Sequence, residues 1–360
     1  MAARLPIFPT TLFALAAIGG VTWPASAVEY PRDPQLVPAS SYPRDGVAHA
    51  SGSAVQGSAA PMPAVVQPAA AQVPVPPRQQ PSTGNEFVAA STRMLENQVS
   101  IETKLRLEAH LFDQELVGSG TYRQGWNAAR TWRLDLLMRA GEDPCLFLQV
   151  CNGQTVWIHQ RAGDLQELRI IELPRARKEL NVLSAEDGAP LVQWGVGGLP
   201  QLIGALGEAF DFQRPVMTDW KGTKALQLHG RWRREYLAVF LPDEKQKILS
   251  GKPFAWDKLA AHVPDEVLLY LQPSDLFPLG IEYRRTPALR FFEKLYRTPE
   301  TQTLAALEFF NIRTGVTIDP NTFEWRSGNI DVIDHTPEHI SDVQSLNKSV
   351  IEHRGAGQGK

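Results

Sequence analysis

The densest run of groups able to do chemistry in this 360-residue chain is DVIDHTPEHI, where Asp331, Asp334, His335, Glu338 and His339 fall within nine residues. Carboxylates and imidazoles at that density are potential ligands for a transition metal. A local reading competes with the metal. Thr336 has the chemistry of a helix N-cap, Pro337 suits the first helical position, and Glu338 sits near the positive end of the helix dipole. His335 then lies outside the helix and His339 inside it, so their spacing provides no shared face, and no metal is expected. Other chemistry is thinly signalled. The chain lacks the GxSxG elbow, the HExxH zinc helix and repeated CxxC pairs. His110, His159, His229 and His262 have no accompanying acid and serine pattern, and GVGG at 195–198 lacks the lysine of a phosphate loop. The expectation is a protein with no catalytic residues and no cofactor.

The elements that would have to position a site begin late in the chain. Residues 1–27 read as an export signal: an early arginine, an apolar stretch from Ile7 to Val21, and the small-residue exit Ala25-Ser26-Ala27. No cysteine follows that exit, so the expected product is periplasmic or otherwise exported, soluble after cleavage near Ala27, and not a lipoprotein. Residues 28–84 are rich in Pro, Ala, Ser, Gln and Val and read as a disordered linker that lacks the apolar surface to offset its ordering entropy. The formal net charge of −3 provides no basic field for nucleic acid. Cys145 and Cys151 are the only cysteines. On one extended strand they would lie about 20 Å apart, beyond bridging distance, and are expected as buried thiols.

Ordered structure should start at Thr83-Gly84-Asn85-Glu86, which has capping-box spacing. Phe87, Ala90, Met94 and Leu95 then recur at helical intervals. In SIETKLRLEAHL the apolar and charged residues alternate strictly, as in a half-exposed antiparallel strand. A meander follows, with strands at about 115–124, 130–139, 145–151, 154–160 and 165–173. Gly118, Gly120 and Gly125 are expected bulge or bend positions. Asn152-Gly153 is expected to form a type I′ hairpin. The returning strand carries Thr155, Trp157 and His159 on one face and Val156 and Ile158 on the other, so bulky groups fall on both faces. Helices are expected at 174–185 and in LPQLIGALGEAFDF, whose Leu199, Leu202, Ile203, Leu206 and Phe210 make an apolar stripe. Five more strands follow, interrupted by a looser stretch at 234–263. One domain is expected over residues 85–347, with a disordered tail at 348–360.

GSGTYRQG, WRLDL, LQVCNGQTVWIH and LRII, in that order, together with the close IDPNTFEWRSGNIDVIDHTPEHI, resemble the LolA/LolB lipoprotein-carrier superfamily, of which this would be a divergent member. The similarity covers most of residues 85–343. It implies an α+β fold: an incomplete, curved antiparallel β-barrel, or half-barrel, covered by a few α-helices, with an apolar cavity between them. On that reading Trp132, Leu134, Leu136, Met138 and Trp157 would line the sheet side of the cavity, and Leu202, Ile203, Leu206 and Phe210 the lid side. Arg123 stands near the place of the family's lid-controlling arginine, without the proline that follows it there. The implied function is a non-enzymatic carrier for the acyl chains of a lipid or lipoprotein. The alternative uses the same fold as a periplasmic sensor of a membrane-bound partner protein, or as a structural interaction domain.

Overall fold

A computed structural model of the protein describes residues 81–358, apart from 112–113, 126–129, 141–142, 188–196, 287–300 and 326–329. The expected export signal and nearly all of the expected linker lie outside the described residues.

Helix α1 (Gly84–Asn97) starts where the sequence indicates. Thr83 accepts from the Glu86 amide through its hydroxyl, and the Glu86 carboxylate accepts from the Thr83 amide, each at 3.3 Å. Six antiparallel strands follow: β1 (Ser100–Leu111), β2 (Gln114–Gly125), β3 (Thr131–Ala140), β4 (Asp143–Cys151), β5 (Thr155–Ala162) and β6 (Leu165–Glu172). Helices α2 (Leu173–Asp187) and α3 (Gly198–Ala209) come next. Then follow β7 (Phe210–Phe212), β8 (Val216–Trp220), β9 (Thr223–Trp232), α4 (Arg234–Phe240), α5 (Lys245–Leu249), β10 (Glu266–Leu271), β11 (Pro278–Arg285), β12 (Gln302–Thr314), β13 (Val332–Asp334) and α6 (Thr336–Gln358). The strands form a single sheet in the order β13-β6-β5-β4-β3-β2-β1-β12-β11-β10-β9-β7, with β8 also paired to β9. Only β13, which runs parallel to β6, breaks the antiparallel pattern among the described strands. The sheet is curved and unclosed: an incomplete half-barrel with helices over its concave face.

The glycines of β2 are not bulges, because its registers with β1 and β3 run unbroken. Bulges instead interrupt β1/β12 at Glu102/Lys104, β10/β11 at Tyr270/Leu271 and β11/β12 at Tyr283/Arg284. Gly120 serves close approach: a β-carbon there would lie 1.9 Å from the Asp135 carbonyl oxygen. The β4–β5 turn also departs from expectation. Asn152 donates to the Thr155 carbonyl, so Gly153-Gln154 is the two-residue loop. Gly153 has a φ of +91°, whereas Asn152 and Gln154 have no positive φ, the pattern of a type II′ turn rather than I′. The Asn152 side chain accepts from the Gln154 and Thr155 amides instead.

Apolar groups on both faces have separate explanations. Concave positions such as Leu105, Leu107, Trp132, Leu136 and Phe147 are buried in one large core with residues of α1, α2, α3 and α6. On the convex side a smaller cluster joins Ala225, Leu268, Tyr270 and Leu279, and Trp220 at the end of β8 stacks on Tyr270 at 3.8 Å. Further along, Trp325 packs edge-on to His159 at 5.5 Å. The stretch at 234–263 folds into α4, α5 and two 3-10 turns around its own cluster of Leu237, Leu241, Ile248, Leu259 and Val263. The chain end differs from expectation too. Residues 348–358 continue α6, with Val350 and His353 buried, because the sequence after His339 still places apolar residues at helical spacing.

Candidate functional site

Between the concave sheet and α3 lies a small void of about 50 Å³, lined by Leu105, Leu107, Trp132, Leu136, Phe147 and Leu202 among others. Strand parity builds its floor. Trp132, Leu134 and Leu136 alternate along β3, and Phe147 and Gln149 face the same way on β4, where Leu136 pairs with Phe147 and Leu134 with Gln149. The roof is α3, with Leu199 and Leu202 at the void. Among the residues proposed from sequence, Trp132, Leu134, Leu136 and Leu202 meet there. Met138 is buried on the same face, one pair beyond Leu136. Ile203 and Leu206 are buried on α3 but do not line the void.

Three candidates sit elsewhere. Phe210 is not in the helix: α3 ends at Ala209, and Phe210 opens β7 and packs against Trp232 with ring centroids 4.1 Å apart. Trp157 pairs with Val150, which places it on the convex face because Gln149 and Phe147 take the concave one. Arg123 is likewise convex, lying between the concave-facing Tyr122 and Gln124. Its guanidinium binds Glu102 at 3.1 Å and Asp135 at 3.6 Å. With Arg133 and Asp319, Arg123 and Glu102 border a polar recess of about 410 Å³. From that side of the sheet Arg123 has no direct hold on α3.

Tyr122 and Gln124, which sequence reasoning passed over, hold the roof down. Helix ends leave backbone groups without intrahelical partners. The first turn of α3 has no side-chain cap of its own, and the Leu199 amide donates to the Tyr122 hydroxyl at 2.9 Å. That hydroxyl donates to the Gln124 side-chain carbonyl at 2.9 Å, and the Gln124 amide donates to the Leu95 carbonyl in the last turn of α1, again at 2.9 Å. Two alternate residues of one strand therefore cap the start of one helix and the end of another. Burial pushes the Tyr122 phenol above its ordinary range, so it stays protonated as the chain of donors requires. The available signal was parity: a tyrosine and a glutamine at inward positions of an otherwise apolar or glycine face.

Cys145 and Cys151 are both buried thiols on β4, with no disulfide between them. Burial pushes the Cys151 thiol up to about 11, and the Gly153 amide donates to its sulfur at 3.3 Å. In the run that opened the metal question, Asp334 rather than Thr336 caps α6, accepting from the Thr336 amide at 2.9 Å. The Thr336 hydroxyl accepts from Glu172 at 3.0 Å, which ties α6 to the end of β6. His335 lies 3.8 Å from Glu338, while His339 is buried. No helix among the described residues is long and apolar enough to cross a membrane.

No family model and no curated protein matches the chain. Solved structures do. A LolA superfamily protein from Nitrosomonas europaea matches at 9% identity over 68% of this chain and 99% of its own, with a TM-score of 0.23. The lipoprotein LppX of Mycobacterium tuberculosis matches at 10% identity over 65% of this chain and 97% of its own, with a TM-score of 0.31. The MucA/MucB complex of Pseudomonas aeruginosa matches at 11% identity over 68% of this chain, which spans 61% of the chain it matches there, with a TM-score of 0.32. The half-barrel itself stands on the strand order and registers described above.

Proposed function

We propose that the protein is an exported, non-enzymatic carrier that holds the acyl chains of a lipid or lipoprotein between its concave sheet and α3. The observation that carries this reading is the apolar seam at that interface, where aromatic and aliphatic side chains from five strands and a helix meet around unfilled space. Its volume of about 50 Å³ is a third of the ~150 Å³ dry cavity that admits one benzene. A guest chain therefore has to displace α3.

Magnitudes favour that exchange for long chains only. Lifting Leu199, Ile203 and Leu206 off the sheet costs about 5–9 kcal/mol in exposed apolar surface alone, at ~1.5–3 kcal/mol for each aliphatic side chain. Each buried methylene returns ~0.8 kcal/mol, so about a dozen are needed to offset the opening. Saturable binding of fatty acids of about 16 carbons, with little binding at about eight, is the expected result of a fluorescent displacement titration. Native mass spectrometry should find lipid retained by protein purified from cells. A protein that carries no lipid and binds no chain of any length would overturn the proposal.

The sensor alternative draws support from a different place. Among the described residues no strand pairs with the outer edge of β13, where Val332 and Ile333 are each about half exposed, and such an edge accepts a strand from another chain. Capture of one membrane-protein ectodomain, lost on changing Ile333→Lys and accompanied by no lipid binding, would favour it over the carrier.

A further inference from the structure

The seam contains a polar group that a plain hydrocarbon would leave idle. Gln149 is 0% exposed, lies on the concave face of β4 and lines the void. Its cross-strand partners are Leu134 and Ile158, and Phe147 and Cys151 flank it on the same face of its own strand. Neither its side-chain oxygen nor its nitrogen has a hydrogen-bond partner among the described residues. Tyr122, also at the void, has its hydroxyl engaged by both Leu199 and Gln124. Gln124 shows what a glutamine on this face does when its role is structural: both ends of its amide are bonded. An amide buried among apolar groups with both ends unpaired is destabilising until something from outside the chain pairs it.

We infer that the guest carries, within its hydrocarbon portion, a group that both donates and accepts a hydrogen bond, either a hydroxyl on the acyl chain or a secondary amide attached to it, and that Gln149 binds this group. The inference rests on the carrier reading and narrows its substrate class. An ester carbonyl accepts only and would leave the Gln149 oxygen unpaired. An ionised carboxylate is too costly to desolvate at this depth and stays in water. With α3 displaced, Gln149 sits on the wall of the opened cleft among Leu134, Phe147 and Trp132, so selection would act along the chain and not at its head.

The test compares octadecanoic acid at neutral pH with its analogues carrying one hydroxyl near the head or at mid-chain, and with an N-acyl glycine of similar length. Binding is measured to the whole protein and to Gln149→Met, which keeps the side-chain length and removes both polar atoms. Because that change deletes an unpaired buried amide, the variant should melt no lower than the native protein. The expected result is at least about tenfold tighter binding of one hydroxylated or amide ligand than of the plain chain, the ratio that one to two net hydrogen bonds provide. Gln149→Met should abolish that preference, bringing the affinity ratio of functionalised to plain chain to about one. Equal binding of plain and functionalised chains, unaltered in Gln149→Met, would overturn the inference, mark the amide as satisfied by trapped water, and leave the carrier reading standing. If no chain binds at all, the carrier reading falls and this inference with it.

Discussion

Tyr122 concentrates more of the structure's logic than any catalytic-looking residue in the chain. Its hydroxyl receives the Leu199 amide and passes a proton bond on to Gln124, which holds Leu95. Tyr122→Phe keeps the ring and strands two buried partners, so a loss of about 1–3 kcal/mol is expected in denaturant unfolding. The Leu199 amide should exchange with solvent much faster, and lipid uptake should accelerate because the roof is less firmly held. Unaltered exchange at Leu199 would show that the bond does not restrain the helix. At this scale the sequence was half readable. Alternation puts Trp132, Leu134 and Leu136 on one face of their strand, and helical spacing puts Leu202 in an apolar stripe. Neither says which face is inward; bulk and the family resemblance supplied that choice. Trp157 was not legible, because two bulky faces leave parity ambiguous until a neighbouring strand sets the register. Arg123 was placed by family resemblance, and its convex position follows from the same parity that sends Tyr122 inward.

Among the elements, α3 is the one whose attachment matters for access. It begins at Gly198, whose φ of +70° is a left-handed conformation that other residues adopt only with strain. A β-carbon there would also lie 2.5 Å from the Tyr122 oxygen. Gly198→Ala should therefore lower the melting temperature and raise the fatty-acid on-rate together, as stopped-flow fluorescence can follow. A variant that loses stability without faster uptake would separate the cap from the gate. Element boundaries were largely visible in advance, since capping boxes and strict alternation are local. The β7 strand was not: FDF continues the helical stripe of α3 in composition, and only pairing with β9 at Phe210↔Trp232 and Phe212↔Gly230 makes it a strand. Likewise α6 extends past the point where polar composition suggests an end, because α2 and α4 provide the surface on which Val350 and His353 are buried.

Across the whole molecule, pH acts on the C-terminal helix first. Burial, reinforced by the nearby His335, lowers the pKa of His339 to about 4. Burial also lowers that of His335, with Arg169 acting in the same direction. The unfolded chain then binds more protons than the fold between the ordinary histidine value near 6.5 and about 4. Stability therefore falls as pH drops through that window and levels off below it. The His339 contribution is on the order of 3 kcal/mol. A second loss runs from the ordinary carboxylate value down to about 2, the window in which the unfolded chain takes up a proton that Glu244, held near 2 by Lys247 and then Lys258, does not. Thermal melts across pH should show two limbs, and His339→Gln should flatten the upper one. A melting temperature that holds constant between pH values of about 6.5 and 4 would contradict the assignment.

The centre of the half-barrel is stitched from opposite ends of the chain. Glu102 of β1 pairs with Arg313 of β12, 211 positions later. Until β12 emerges, one flank of β1 has no ladder partner, and strands awaiting distant mates are slow to mature and prone to sticking to other chains. A nascent or truncated product ending before residue 302 would thus expose the middle of the sheet, not its rim. Such fragments should be chaperone clients or inclusion-body material even though the eleven strands β1–β11 all lie before that point.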